Sequence, residues 1–93
     1  MILFCEYVVM HEHREAYLEW MRSRLGAGEA MQALENTGQP GVFVEIWQAG
    51  DAARAAAIEK ERREGRSWQE MNGWIKGGEA GLRIWTFRSI GAD

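Results

Sequence analysis

The sequence predicts an α+β domain in the order strand–helix–strand–strand–helix–strand, on three observations. A β-branched and aromatic run opens the chain at Ile2–Met10, and a second, Val42–Gln48, is the strongest strand signal present. Two longer stretches, from about Glu12 to Leu25 and from Ala52 to Glu64, lie between and after these runs and read as helices. A last apolar run, Leu82–Ile90, closes the pattern. The 93 residues fit one domain over 1–93 with no internal repeat or linker.

Each element has a local reason. Ile2–Met10 is too short for a core helix and rich in strand formers. From Glu12 the period changes: Tyr17, Trp20, Met21 and Leu25 recur at helical spacing, and Gly26 and Gly28 stop the helix. Met31–Asn36 is a weak strand, followed by a turn over Thr37–Gly41, where Gly and Pro cluster. After Val42–Gln48, Asp51 is placed to cap a helix over Ala52–Glu64, with alanines and Ile58 on its inner side. The tail of this helix, Glu59-Lys-Glu-Arg-Arg-Glu64, reads as a solvated charged face. Ser67-Trp-Gln-Glu70 matches a capping box for a short helix carrying Trp68, Met71 and Ile75, which Gly77-Gly78 ends.

Composition narrows the function classes. The hydrophobic fraction of 46% and charged fraction of 27% are those of an ordinary globular domain, and the net charge of −3 argues against general nucleic-acid binding, which requires a basic surface. The N-terminal run lacks the features of a signal peptide, and no segment approaches the eighteen or so apolar residues that span a bilayer, so neither a membrane nor a nucleic acid is an expected partner. A lone cysteine, Cys5, fits a buried thiol in a reducing, cytoplasmic compartment. His11 and His13 have no third ligand at a recognisable spacing, so they are read as surface or helix-start residues, with no metal site.

The element order is the ferredoxin-like βαββαβ pattern, with both helices on one face of a four-stranded antiparallel sheet. An antiparallel sheet whose second face met water would be polar there, yet the first, third and fourth strands are apolar on both sides. Something outside the domain is needed to cover that second face, and a second copy is the economical cover, so a homodimer is expected.

The strand–helix opening, the Gly38-Gln-Pro-Gly41 turn, the strand carrying Glu45-Ile-Trp47 and the final Ile84-Trp-Thr-Phe87 together resemble the dimeric α/β-barrel superfamily, which includes antibiotic-biosynthesis-monooxygenase-like and NIPSNAP-like proteins. The resemblance covers nearly the whole chain. It implies two sheets paired into a barrel whose interior serves as a pocket. Some members are cofactor-independent oxygenases, some degrade haem, and many have no known activity. The haem-degrading members use an asparagine on the first strand and a histidine on the helix after the third. Here the first strand has neither residue and Ala52–Glu64 has no histidine, which argues against that route. No cofactor is expected.

Within the pattern, Leu3, Cys5, Tyr7 and Val9, together with Val42, Val44 and Ile46, are assigned to the helix side. The opposite side then collects Phe4, Glu6, Phe43, Glu45, Trp47, Arg83 and Trp85, with Val8 and Phe87. These residues are the candidate ligand-binding set. Two readings apply to it: an ion pair or network inside the barrel, with Arg83 answering Glu6 or Glu45, or a pocket with a few polar groups among aromatic walls, in which a carboxylate serves as general base. Trp20 and Trp68 are read as core, and Trp74 as exposed or at the dimer seam.

Three functions follow: a dimer that binds a small apolar or aromatic molecule, a monooxygenase-like enzyme acting through Glu6 or Glu45, or a structural or partner-binding dimer with a filled barrel. RNA-recognition domains share the element order, and Gly41-Val-Phe-Val-Glu-Ile46 faintly echoes their third-strand motif. Gln39, Pro40 and Gly41 stand where that motif has a basic residue, a glycine and an aromatic, and two glutamates on the same face repel phosphate.

Overall fold

The structure, a computed structural model, describes residues 1–91. Strands β1 (Ile2–Val8), β2 (Met31–Glu35), β3 (Val42–Gln48) and β4 (Arg83–Phe87) form one antiparallel sheet in the order β2-β3-β1-β4. Helices α1 (Arg14–Gly26), α2 (Ala52–Glu64) and the four-residue α3 (Gln69–Asn72) complete the ferredoxin-like α+β fold. The core lies between the sheet and the helices, where Leu3, Cys5, Tyr7 and Val9 of the first strand segment meet Tyr17, Met21, Ile58, Trp68 and Met71.

The local signals act largely as the residues dictate. Asp51 accepts a hydrogen bond from the Arg54 N–H at 2.7 Å, which caps α2. Between β2 and β3, Asn36 Oδ1 accepts from the N–H groups of Gly38 and Gln39 at 2.8 and 3.0 Å and holds the turn. Gly41 sits at φ 96°, a conformation that disfavours a side chain, and donates its N–H to Glu35 Oε2 at 3.0 Å. Glu35 also receives a bidentate Arg14 from the start of α1, with Nη2 to Oε1 at 2.8 Å. One carboxylate thus ties a helix start, the end of β2 and the next turn together.

Three expectations change. The last strand is shorter than Leu82–Ile90 and ends at Phe87. The capping box does not form: the chain passes from Gly65 directly into a 3₁₀ turn over Arg66–Trp68, so Ser67 lies inside the helical segment, and its hydroxyl accepts from Arg24 Nη2 at 3.1 Å instead. The charged tail of α2 is not wholly solvated, because Arg62 is 1% exposed. It falls on the same helical stripe as Ala55 and Ile58, both buried.

The route from α3 to β4 is pinned to the sheet. Val9 and Ile75 form an isolated antiparallel bridge, Lys76 N–H bonds the Val8 carbonyl at 2.8 Å, and Met10 N–H bonds the Trp74 carbonyl at 2.9 Å. The chain then turns through Gly77 and Gly78, at φ 84° and 59°, and Gly81 packs directly on the Lys76 carbonyl with no room for a Cβ.

Two outcomes follow. Gly81→Ala should destabilise the fold by about 1–3 kcal/mol, because a methyl there displaces backbone. Gly26→Ala, at the end of α1 with open space around it and no positive φ, should be neutral or stabilising by up to about 1 kcal/mol. Urea denaturation of the two variants measures the contrast. The second outcome concerns acid. Its bonds with the Arg14 guanidinium and then the Gly41 N–H lower the Glu35 pKa from the ordinary 4.5 to about 2. A carboxylate depressed on folding contributes stability above its unfolded pKa and loses it as pH falls through the folded one. Stability should therefore decline between about pH 4.5 and 2, and Arg14→Gln should flatten that part of the profile in acid titrations followed by circular dichroism.

Candidate functional site

The register divides the candidate residues between the two faces of the sheet. On β1 and β3, Leu3 is paired with Trp47, Cys5 with Glu45 and Tyr7 with Phe43. Phe4 is paired with Ile46, Glu6 with Val44 and Val8 with Val42. Directly paired residues share a face. Phe43, Glu45 and Trp47 therefore lie under the helices and are buried, while Val42, Val44 and Ile46 lie on the open face. This reverses the expected orientation of β3. Polarity suggested that the all-aliphatic row faced the core, but a buried guanidinium on α2 makes the row containing Glu45 the inner one.

Glu45 has no solvent exposure, and its four acceptor positions are filled. Oε1 accepts from Arg62 Nε at 2.9 Å and Trp47 Nε1 at 3.0 Å. Oε2 accepts from Arg62 Nη2 at 2.9 Å and the Tyr7 hydroxyl at 2.5 Å. The Tyr17 hydroxyl, 2.8 Å from that of Tyr7, extends the chain as donor, since Tyr7 spends its proton on Glu45. Arg62 also donates to Asn72 Oδ1 at 2.5 Å and stacks on Trp68, its guanidinium carbon 4.1 Å from the ring centroid. Arg24 covers the same ring at 4.0 Å. Burial and then the Glu45 charge push the Tyr7 phenol and the Cys5 thiol well above their usual ranges, so neither ionises near neutrality. For Arg62, burial opposes the charge, but Glu45 outweighs it and raises the pKa. With every lone pair taken and no solvent exposure, Glu45 has no acceptor left to offer a ligand. Sequence reasoning missed Arg62, although its place on the Ala55–Ile58 stripe was the available signal.

The structure does bring Phe4, Glu6, Arg83 and Trp85 together on the open face. Arg83 Nη2 donates to Glu6 Oε1 at 2.6 Å. Phe4 packs against Trp85 and Phe87, each with ring centroids 6.1 Å apart, and the Arg83 guanidinium carbon lies 5.4 Å from the Trp85 centroid. The Arg83 side chain is 62% exposed and that of Glu6 30%, so in one chain this is a surface ion pair. The floor around it is apolar and open to solvent: Trp85 is 43% exposed and Phe87 52%, with Val8 at the end of β1 and Leu34 on the far edge strand β2 also exposed.

Lys76, which the sequence reading did not select, stands at one end of this face. It shares the lining of a cleft of about 280 Å³ with Glu6, Val8, Val42 and Arg83. It also borders a second cleft, of about 490 Å³, on the helical side of the same corner, lined in part by His11 and Arg14. His13 stacks on Trp74 with ring centroids 6.0 Å apart, which places Trp74 beside the start of α1 and away from the open face. Among the described residues, no three His, Cys, Asp or Glu side chains converge as a metal site, and no helix is long and apolar enough to cross a membrane.

The fold and the two faces define a ferredoxin-like α+β domain with a filled core on one side of the sheet and an apolar, singly charged-paired surface on the other. Solved structures share this architecture. One is a crystal structure of an antibiotic biosynthesis monooxygenase, 16% identical, with a TM-score of 0.73 over 97% of this chain and 99% of that one. Another, assigned as an antibiotic biosynthesis monooxygenase from Nitrosomonas europaea, is 19% identical with a TM-score of 0.59 over 94% of this chain and 98% of that one. No protein-family model and no curated protein matches the sequence.

The buried network has a direct test. Glu45→Gln should cost about 3–5 kcal/mol, because it strands a buried guanidinium. The double change Glu45→Leu with Arg62→Met should cost markedly less than Glu45→Gln alone, since it removes both charges. Urea denaturation of the three proteins measures the difference.

Proposed function

We propose that the chain works as a homodimer joined through the open sheet face, and that the enclosed interior binds a small apolar or aromatic molecule. The observation carrying this reading is the cluster of partly buried Phe4 with half-exposed Trp85 and Phe87 on the open face beside the Glu6–Arg83 pair. An apolar surface of this kind on a small domain calls for cover. Aromatic walls with a few polar groups are the usual lining of a small-molecule site. With the orientation of β3 corrected, the residues proposed to bind are Phe4, Glu6, Arg83 and Trp85, with Val44 and Ile46 as floor in place of Phe43, Glu45 and Trp47.

A second reading, a cofactor-independent monooxygenase-like enzyme, is favoured by the shared architecture with proteins carrying that name. Glu45 is saturated with donors, so Glu6 is the carboxylate on the candidate face left to act as a base. Oxygen uptake with reduced aromatic substrates, abolished by Glu6→Gln, separates this reading from binding alone.

Sedimentation and a fluorescent aromatic probe test the first reading together. The wild-type chain should sediment as a dimer at micromolar concentration and enhance the emission of anilinonaphthalene sulfonate at stoichiometric amounts. Trp85→Glu should give monomer or aggregate. A well-folded wild-type monomer at that concentration overturns the reading. A dimer that takes up no probe points to a filled, structural barrel.

A further inference from the structure

We propose that the ligand of the open face is an aromatic carboxylate, its anionic group held between Lys76 and Arg83 at the end of the sheet where β1 finishes. This rests on the proposed pocket and names its ligand class. Three observations carry it.

The first is charge. The cleft of about 280 Å³ has two cationic side chains, Lys76 and Arg83, against one carboxylate, Glu6. Arg83 uses only Nη2 on Glu6, and its other N–H groups have no partner among the described residues. Lys76 makes no salt bridge among them either. A local excess of positive charge with unused donors, on a chain of net charge −3, selects an anion.

The second is construction. Lys76 is not on a loose loop: its N–H bonds the Val8 carbonyl, the preceding Ile75 bridges Val9, and Gly81 packs on the Lys76 carbonyl two residues before Arg83. The turn between them fixes the backbone of both residues at one corner of the sheet, within reach of the same cleft. The third is continuity. Arg83 shares its face with Trp85 two residues on, and Trp85 meets Phe4, so a carboxylate at the corner extends its aromatic body along the apolar floor.

The experiment measures binding of three probes that share one naphthalene body, 2-naphthoate, 2-naphthalenemethanol and 2-naphthylmethylammonium, by tryptophan fluorescence and calorimetry at low and high salt. The acid should bind at least about tenfold more tightly than the alcohol, as charged hydrogen bonds imply, and the cation more weakly than both. The acid-to-alcohol ratio should fall toward one in Lys76→Met and in Arg83→Met. Equal affinities for acid and alcohol, or a ratio that survives both substitutions, overturns the carboxylate assignment and leaves the pocket standing. Failure of all three probes to bind overturns the pocket and the assignment with it.

Discussion

The arrangement of the domain turns on a carboxylate in the middle of the sheet. Glu45 is a central residue of β3, fully shielded from water, and a buried charge of this kind is tolerated only when paired and hydrogen-bonded. Its partner comes from α2, so Arg62 fixes how that helix is rotated over the sheet. Tyr7 on the neighbouring strand and Trp47 on the same strand take the remaining lone pairs, and Tyr17 follows from α1. One side chain therefore links both long helices and both central strands. The ion pair itself adds little net stability over an apolar pair of similar shape. Its effect is on register. A slip of β3 by one residue would carry Glu45 to the open face and leave Arg62 unpaired in the core.

The same pair explains what was legible in the sequence and what was not. Val42–Gln48 and Ala52–Glu64 are found at the expected residues, because their limits are set by local chemistry: the Gly41 turn before the strand and the Asp51 cap before the helix. The order of elements and the position of β1 between β3 and β4 also follow from local pattern and topology, and with them the Glu6–Arg83 pair. The orientation of β3 does not. Both its rows are apolar enough to face a core, so alternation alone leaves the choice open. The deciding residue lies 17 positions away, inside a charged run that reads as solvated. Lys76 was hidden for a related reason: its place beside β1 depends on a short backbone pairing around Val9 and Ile75, which no periodicity announces.

The ion pairs of the two central strands differ in how far solvent reaches them. Glu45–Arg62 is closed, with every acceptor of the carboxylate used and both side chains shielded from solvent. Glu6–Arg83 is open: one short hydrogen bond joins side chains that solvent still reaches, beside aromatic rings with exposed faces. An exposed pair of this kind contributes at most about 1 kcal/mol in a single chain. Removing Arg83 from an isolated monomer would therefore matter little, whereas removing it from a barrel closed by a second copy would leave Glu6 enclosed without its partner. The strength of this pair is thus set by what covers the sheet. A surface that is apolar, aromatic and incompletely neutralised gains from cover that excludes water, and a closed interior in turn strengthens every charge it retains. In the proposed assembly, dimer formation and ligand recognition on this face would draw on the same removal of water, so a dimer that hid Phe4, Trp85 and Phe87 would also make Lys76 and Arg83 effective against a carboxylate.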